Sequence, residues 1–301
     1  MRANALLLAV TLTACSTAPV IVANPVEPDV RSATVEPQTQ VVRASSPPVP
    51  GPPLSAAEMV GEFQQGGYIR GTAPFGAISA TYNGKPVLLD RERGFFVGLD
   101  RDAEGVAELI FTASDRQKRT HRIPIAPRQW DIERVNVAKR PSGSSEAWWA
   151  RREPEWLAIQ AARAKETDAE GWRQDFIWPV EGRISGRFGR QRIYRGEPGS
   201  YHSGLDIAAR TGTPFVAPAD GVVVLAATGF SLEGQLLIID HGQGLNSAFL
   251  HCSRILVSEG DRVRQGQVIG EVGSTGRSTG PHLHWGIKWR DARLDPLLFL
   301  P

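Results

Sequence analysis

From Trp178 to the end of the chain a glycine falls every few residues between short β-branched runs, as at 221–225, 236–240, 247–251, 268–272 and 284–287. Runs this short, closed by turn residues at this spacing, cannot form helices of ordinary length. They predict an all-β barrel or sandwich. Five of the six histidines fall within the same glycine-punctuated region, all in the last hundred residues. A β scaffold carrying so many imidazoles is the feature that any account of the chain must explain.

The remainder of the 301 residues divides by composition. Arg2 and the apolar run of residues 3–12 precede Leu12-Thr13-Ala14-Cys15, which reads as a lipoprotein-type signal segment (1–15) with Cys15 as the lipidated residue, the other reading being ordinary secretory cleavage a few residues further on. Ser16 then resembles an outer-membrane sorting signal. Residues 16–55 are rich in Pro, Val, Ser and Thr and end in Ser46-Pro47-Pro48-Val49-Pro50-Gly51-Pro52-Pro53, a disordered tether of extended character. Residues 56–137 read as a small β-sandwich, with Asn83-Gly84 marking a hairpin between 77–82 and 86–89, and further strands at 94–99, 106–113 and 119–125. Residues 138–175 read as a helical linker, its helix at 155–165 with Pro154 near the start. Trp148, Trp149, Trp156 and Trp172 are expected to pack this linker against the flanking domains, the other reading being that they stack on sugars. Residues 176–301 form the last domain.

Charge and cysteine content exclude several classes. With 34 Lys and Arg against 32 Asp and Glu, no global field argues for nucleic acid as a partner. Two cysteines cannot build a disulfide framework, and the one outside the signal segment, Cys252, suits an oxidising compartment.

The chemistry concentrates in His202-Ser203-Gly204-Leu205-Asp206 and His282-Leu283-His284, with His251 between them. In extended chain, residues two or four apart share a face, so both pairs can point into one cleft. Two neutral imidazoles and one carboxylate from His202, Asp206 and His284 would hold one Zn2+ and leave a coordination position open, as a catalytic rather than structural site requires. His251 and His282 are then free to serve as general base or to stabilise a developing oxyanion. Arg277, in Thr275-Gly276-Arg277-Ser278-Thr279-Gly280, could hold a substrate carboxylate or simply solvate a loop. His241 reads as a structural residue in a turn, and Cys252, next to His251, should point behind the site.

These residues carry a resemblance. The segment from about 176 to 300 is similar to the lysostaphin-type (LytM-like) zinc endopeptidases that cut peptide bonds in bacterial peptidoglycan. The matching stretches include Tyr201 to Ala208, Gly212-Thr213-Pro214, Asp240-His241-Gly242, Leu250-His251 and Thr275 to Trp285. Residues 60–137 resemble, more weakly, the β-domain preceding it in Gram-negative members. The resemblance implies a mostly β fold with a barrel-sandwich hybrid catalytic domain, zinc at His202, Asp206 and His284, and catalytic roles for His251 and His282. It implies peptidoglycan as substrate and, with Cys15, a periplasmic lipoprotein anchored to the inner face of the outer membrane. Cys252 departs from the hydrophobic residue, often leucine, usual at its position. An alternative from the same family is a non-hydrolytic envelope regulator that activates a wall amidase, for which the partner would be a regulatory envelope protein. A swinging-arm carrier, suggested by 217–223 and 260–267, needs a modifiable lysine on a hairpin tip; the only lysine of the domain, Lys288, lies just past the metal motif.

Overall fold

A computed structural model describes residues 54–139 and 145–301. The described residues cluster as one compact unit. The signal segment with Cys15 and nearly all of the tether lie outside the described residues. Among the described residues, no helix is long and apolar enough to cross a membrane.

The chain is mostly β, built from several sheets with no closed barrel among the described residues. Strands Glu58–Glu62, Tyr68–Thr72 and Gly94–Gly98 form one antiparallel sheet, and Lys85–Val87, Ala77–Tyr82, Val106–Ala113 and Lys118–Pro124 a second. The Asn83-Gly84 hairpin forms as the sequence indicates: both residues have positive φ, 45° and 77°, and Tyr82 pairs with Lys85 across the two-residue turn. Strands Glu58–Glu62 and Tyr68–Thr72 were not legible in the sequence.

The large sheet carries the site. Its strands run in the order Arg262–Val263, Gly221–Phe230, Gly234–Gly242, Leu245–Cys252, Leu283–Trp289, Leu205–Ala208 and Arg183–Gly186, with Ala292–Leu294 paired to Leu283–Trp289. Alternation is strict in Leu283–Trp289: Leu283, Trp285, Ile287 and Trp289 are buried, while His284, Gly286 and Lys288 take the other face. Burying that first set fixes the register, since a slip of one residue would turn every side chain over.

Helix α1 (Glu146–Arg163) lies against the face to which His284 belongs. It starts nine residues earlier than the sequence indicates, because the Ser145 side chain caps the Trp148 N–H and Glu146 favours the first turn. Pro154 therefore sits inside the helix rather than at its start. Ala162 and Ile159 pack on Val224, Leu236, Ile238, Ala248 and Leu250 of the sheet. The tryptophans do not share one fate: Trp172 is buried, whereas Trp149 and Trp156 are about half exposed, at 52 % and 48 %.

One core runs through the remaining layers. A succession of rings, Phe96 to Tyr68, Tyr68 to Phe299, Phe299 to Phe176 and Phe176 to Trp285, has centroid separations of 5.5, 4.4, 5.1 and 6.4 Å. It links the sheet of residues 58–98 to the strand that carries His284.

Candidate metal centre

Asp206 and His284 stand directly opposite each other on neighbouring antiparallel strands, so both side chains leave the same face at adjacent positions. His202 reaches them by a different route from the shared extended face expected from its spacing. It lies outside any strand, before Leu205–Ala208, and two backbone bonds pin it: its N–H donates to Arg190 O and its carbonyl accepts from Gly189 N, each at 2.8 Å. The Nδ1–H of His202 donates to Arg187 O at 3.0 Å, which turns Nε2 inward.

Three donor atoms then converge. Asp206 Oδ1 lies 3.1 Å from His202 Nε2 and 2.8 Å from His284 Nδ1, and the two imidazole nitrogens are 3.1 Å apart. Among the described residues this is the one group of His, Cys, Asp or Glu whose ligand atoms all lie within 4.8 Å of one another. Such separations are close to those of neighbouring ligands around an ion bound at about 2.0–2.1 Å, so the donor set fits a zinc ion with a further position open. Burial by itself would raise the Asp206 carboxyl, but hydrogen bonds from His202 and His284 outweigh it and hold the group well below the usual carboxylate range. Burial also works against a charge on His202, and there the Asp206 bond and charge prevail and raise it. In His284 burial prevails and keeps the ring neutral, as a ligand must be.

Glycine makes the close approach possible. A Cβ at Gly204 would stand 2.6 Å from both His284 Nε2 and Trp285 O. The sequence shows Gly204 only as a residue that disfavours a helix; its steric role is visible only in the structure.

His251 and His282 flank this group, their rings 4.9 Å apart. Each is tethered through Nδ1 to a backbone carbonyl, His251 to Thr275 and His282 to Gly280, both at 2.8 Å. With the proton held on Nδ1, Nε2 of each ring is the basic nitrogen, and that of His282 lies 3.7 Å from Asp206 Oδ1. Burial lowers His251 and keeps it neutral. Its backbone is left-handed, φ 66°, an uncommon state for a residue with a side chain. Neither this conformation nor Thr275 as its anchor was legible in the sequence. Thr275 Oγ1 donates to Cys252 O and accepts from Gln235 N, so one residue ties three segments beside the site.

The other residues singled out in the sequence fall around this centre. Arg277 is exposed, and shares with His202, Tyr201, Arg190 and Arg192 the lining of an open groove of about 930 Å3. Cys252 is fully buried behind His251, and burial pushes its thiol up to about 12. His241 is structural but lies within strand Gly234–Gly242, not in a turn. It is completely buried, donates from Nδ1 to Asp220 O at 2.7 Å and accepts at Nε2 from Ser247 Oγ at 2.8 Å. Ser247 Oγ in turn accepts from Trp285 Nε1 at 3.2 Å, a satisfied polar chain that fixes the residue next to His284.

Comparison with known proteins bears on this geometry. The profile of peptidase family M23 matches residues 200–296. A solved structure described as a putative peptidase M23 from Pseudomonas aeruginosa is 31 % identical and superposes with a TM-score of 0.61, over 79 % of this chain and 95 % of that one. A lipoprotein NlpD/LppB homolog of P. aeruginosa is 40 % identical over 44 % of this chain and 40 % of its own length. The peptidoglycan DD-endopeptidase ShyA of Vibrio cholerae is 41 % identical over 36 % of this chain and 26 % of its own. The murein hydrolase activator NlpD of Escherichia coli is 37 % identical over 45 % and 32 %. The chain thus matches less than half the length of each of these three curated relatives.

Proposed function

Because the chain belongs to peptidase family M23, we propose that it is a zinc-dependent endopeptidase that hydrolyses peptide bonds in the stem peptides or cross-links of bacterial peptidoglycan. The observation that carries this reading is the convergence of His202, Asp206 and His284, with two further imidazoles beside them and a basic nitrogen on each. A zinc ion held by these three residues would supply Lewis acidity toward a scissile carbonyl and would acidify a water molecule. His251 and His282 divide the work of accepting a proton at Nε2 and hydrogen-bonding the developing oxyanion. Asp206, ionised and opposite His284, offsets the ion's charge, while the Thr275 and Gly280 carbonyls keep the two free imidazoles from turning. Arg277, exposed on the lining of the open groove, would meet a peptide carboxylate in this reading.

A second reading is regulatory. One relative is named a murein hydrolase activator, and a non-hydrolytic protein of this family could activate a wall amidase. The complete three-residue donor set favours hydrolysis. Digestion of purified peptidoglycan sacculi decides between the two. New peptide-bond products that vanish with His284→Ala or a chelator establish the endopeptidase. Zinc binding without products turns the assignment to the activator.

For location, we read the chain as a periplasmic lipoprotein held at the outer membrane through Cys15. Support comes from the Leu12-Thr13-Ala14-Cys15 sequence and from the relative named a lipoprotein. Fractionation tests it: Cys15→Ser should leave the membrane fraction, and equal membrane association in that variant would sink the anchor.

A further inference from the structure

On strand Leu283–Trp289 the face that presents His284 continues through Gly286 to Lys288. Across from them stands α1, and between helix and strand lies a cavity of about 220 Å3 whose lining includes Arg163, Lys288, Arg293 and Ser203. His284 lines the same cavity, the one residue of the metal centre that does. Its floor is narrow-sided, Ala248 standing opposite Gly286 on the neighbouring strand.

The charge in this cavity is unbalanced. Arg152, on the α1 wall, is spent on Glu155 and Glu233. Arg163 is different: its one side-chain bond among the described residues goes to a neutral acceptor, Asn246 Oδ1, at 2.6 Å. Arg293 reaches Tyr201 Oη at 3.5 Å, and Lys288 Nζ makes no hydrogen bond or ion pair among the described residues. Asp100 and Asp291 are the acidic groups that act on Lys288, and neither bonds its ammonium. Burial, with Arg163 and Arg293 beside it, pushes Lys288 down to about 8. Glu233 also lines the cavity and acts on Arg163, but it is bound by Arg152. Arg163, Lys288 and Arg293 thus face the cavity with no carboxylate in side-chain contact among the described residues, an arrangement that an anion relieves.

Distance sets where that anion belongs. Lys288 lies four residues beyond His284 on extended chain, about 13 Å at roughly 3.3 Å per residue. An extended peptide laid along the strand covers that span in three or four residues.

We propose that the cavity between α1 and strand Leu283–Trp289 is a carboxylate-binding subsite, in which Lys288, Arg163 and Arg293 receive a free acid of the substrate peptide three or four residues from the bond at the metal centre. It rests on the endopeptidase reading above and adds to it a requirement for an acidic peptide.

The test uses the full chain and two acetylated, extended pentapeptides that differ only in one glutamate or glutamine, titrated by calorimetry. Wild type should bind the glutamate peptide about tenfold more tightly or better. Lys288→Met should bring the two peptides to equal affinity, and Lys288→Arg should keep the preference. Arg163→Gln, with a melting curve for every variant, gives a second measure of the same loss in a protein shown to be folded. Equal binding of the two peptides by wild type, no binding of the glutamate peptide at millimolar concentration, or an undiminished preference in Lys288→Met overturns the subsite. Sacculus digestion run alongside separates the two claims. An intact carboxylate preference without hydrolysis keeps the subsite and removes the endopeptidase; hydrolysis without a preference removes the subsite alone.

Discussion

Arg152 holds Glu233 through two hydrogen bonds of 2.7 Å each, and the carbonyl of Glu233 accepts the backbone N–H of His251 at 2.9 Å. Helix α1 is thereby joined to the hairpin on which His251 leans. Arg152→Met strands Glu233 and Glu155 where little water reaches, their side chains being 14 % and 10 % exposed. The expected cost is about 3 kcal/mol, read as a lower denaturant midpoint with unchanged slope. If the chain is the endopeptidase proposed above, sacculus digestion should fall as well, since the anchor of His251 loosens.

Gly204→Ala should weaken zinc binding about 10- to 100-fold in a chelator competition. The added methyl would meet His284 Nε2 and Trp285 O at 2.6 Å, and the strand cannot yield without moving His284. Gly105→Ala, where a Cβ meets nothing within 4 Å, is the control and should bind zinc as wild type does.

His241 makes the protein acid-sensitive. Burial lowers its pKa from 6.5 to about 4, so the native state keeps a neutral ring where the unfolded chain would already take up a proton. Its contribution is therefore fully present above about pH 6.5 and is lost as the pH falls toward 4. At about 1.4 kcal/mol per unit the loss is about 3 kcal/mol. His241→Gln keeps a donor and an acceptor but does not titrate. Urea unfolding at pH 7.5 and pH 4 should show a smaller drop in the variant by about that amount, and an equal drop would exclude His241 as the source.

Cys252 should resist alkylation at pH 8 in a Cys15→Ser background and react fully once the chain is unfolded. Its thiol is buried, is pushed up to about 12 and donates to Phe249 O. Labelling that keeps pace with a free thiol would mean that the sheet behind His251 opens readily.

The mostly β class was legible because glycine punctuation and period-two alternation are local signals. Leu283, Trp285, Ile287 and Trp289 declare a buried face, and with it the side that His284 must take. The meeting of Asp206 with His284 followed from that alternation. The meeting of His202 with them did not follow from the reason given for it, since a loop pinned at Gly189 and Arg190 supplies the geometry. Pro154 suggested a helix start because proline favours the first turn, but the cap at Ser145 moved that start upstream and left the proline inside. Least legible was the position of α1 beside the metal centre. Arg152–Glu233 and Arg163–Asn246 join residues more than eighty apart, and no local pattern announces such partners.

The ring succession from Phe96 to Trp285 ends one residue from His284. The N-terminal strands are therefore part of the support on which the metal centre rests, and cannot be trimmed from it as a removable appendage. A nick that frees them would strip Tyr68 and Phe96 from Phe299, so damage to the N-terminal sheet travels through the rings that brace His284 rather than stopping at its own edge.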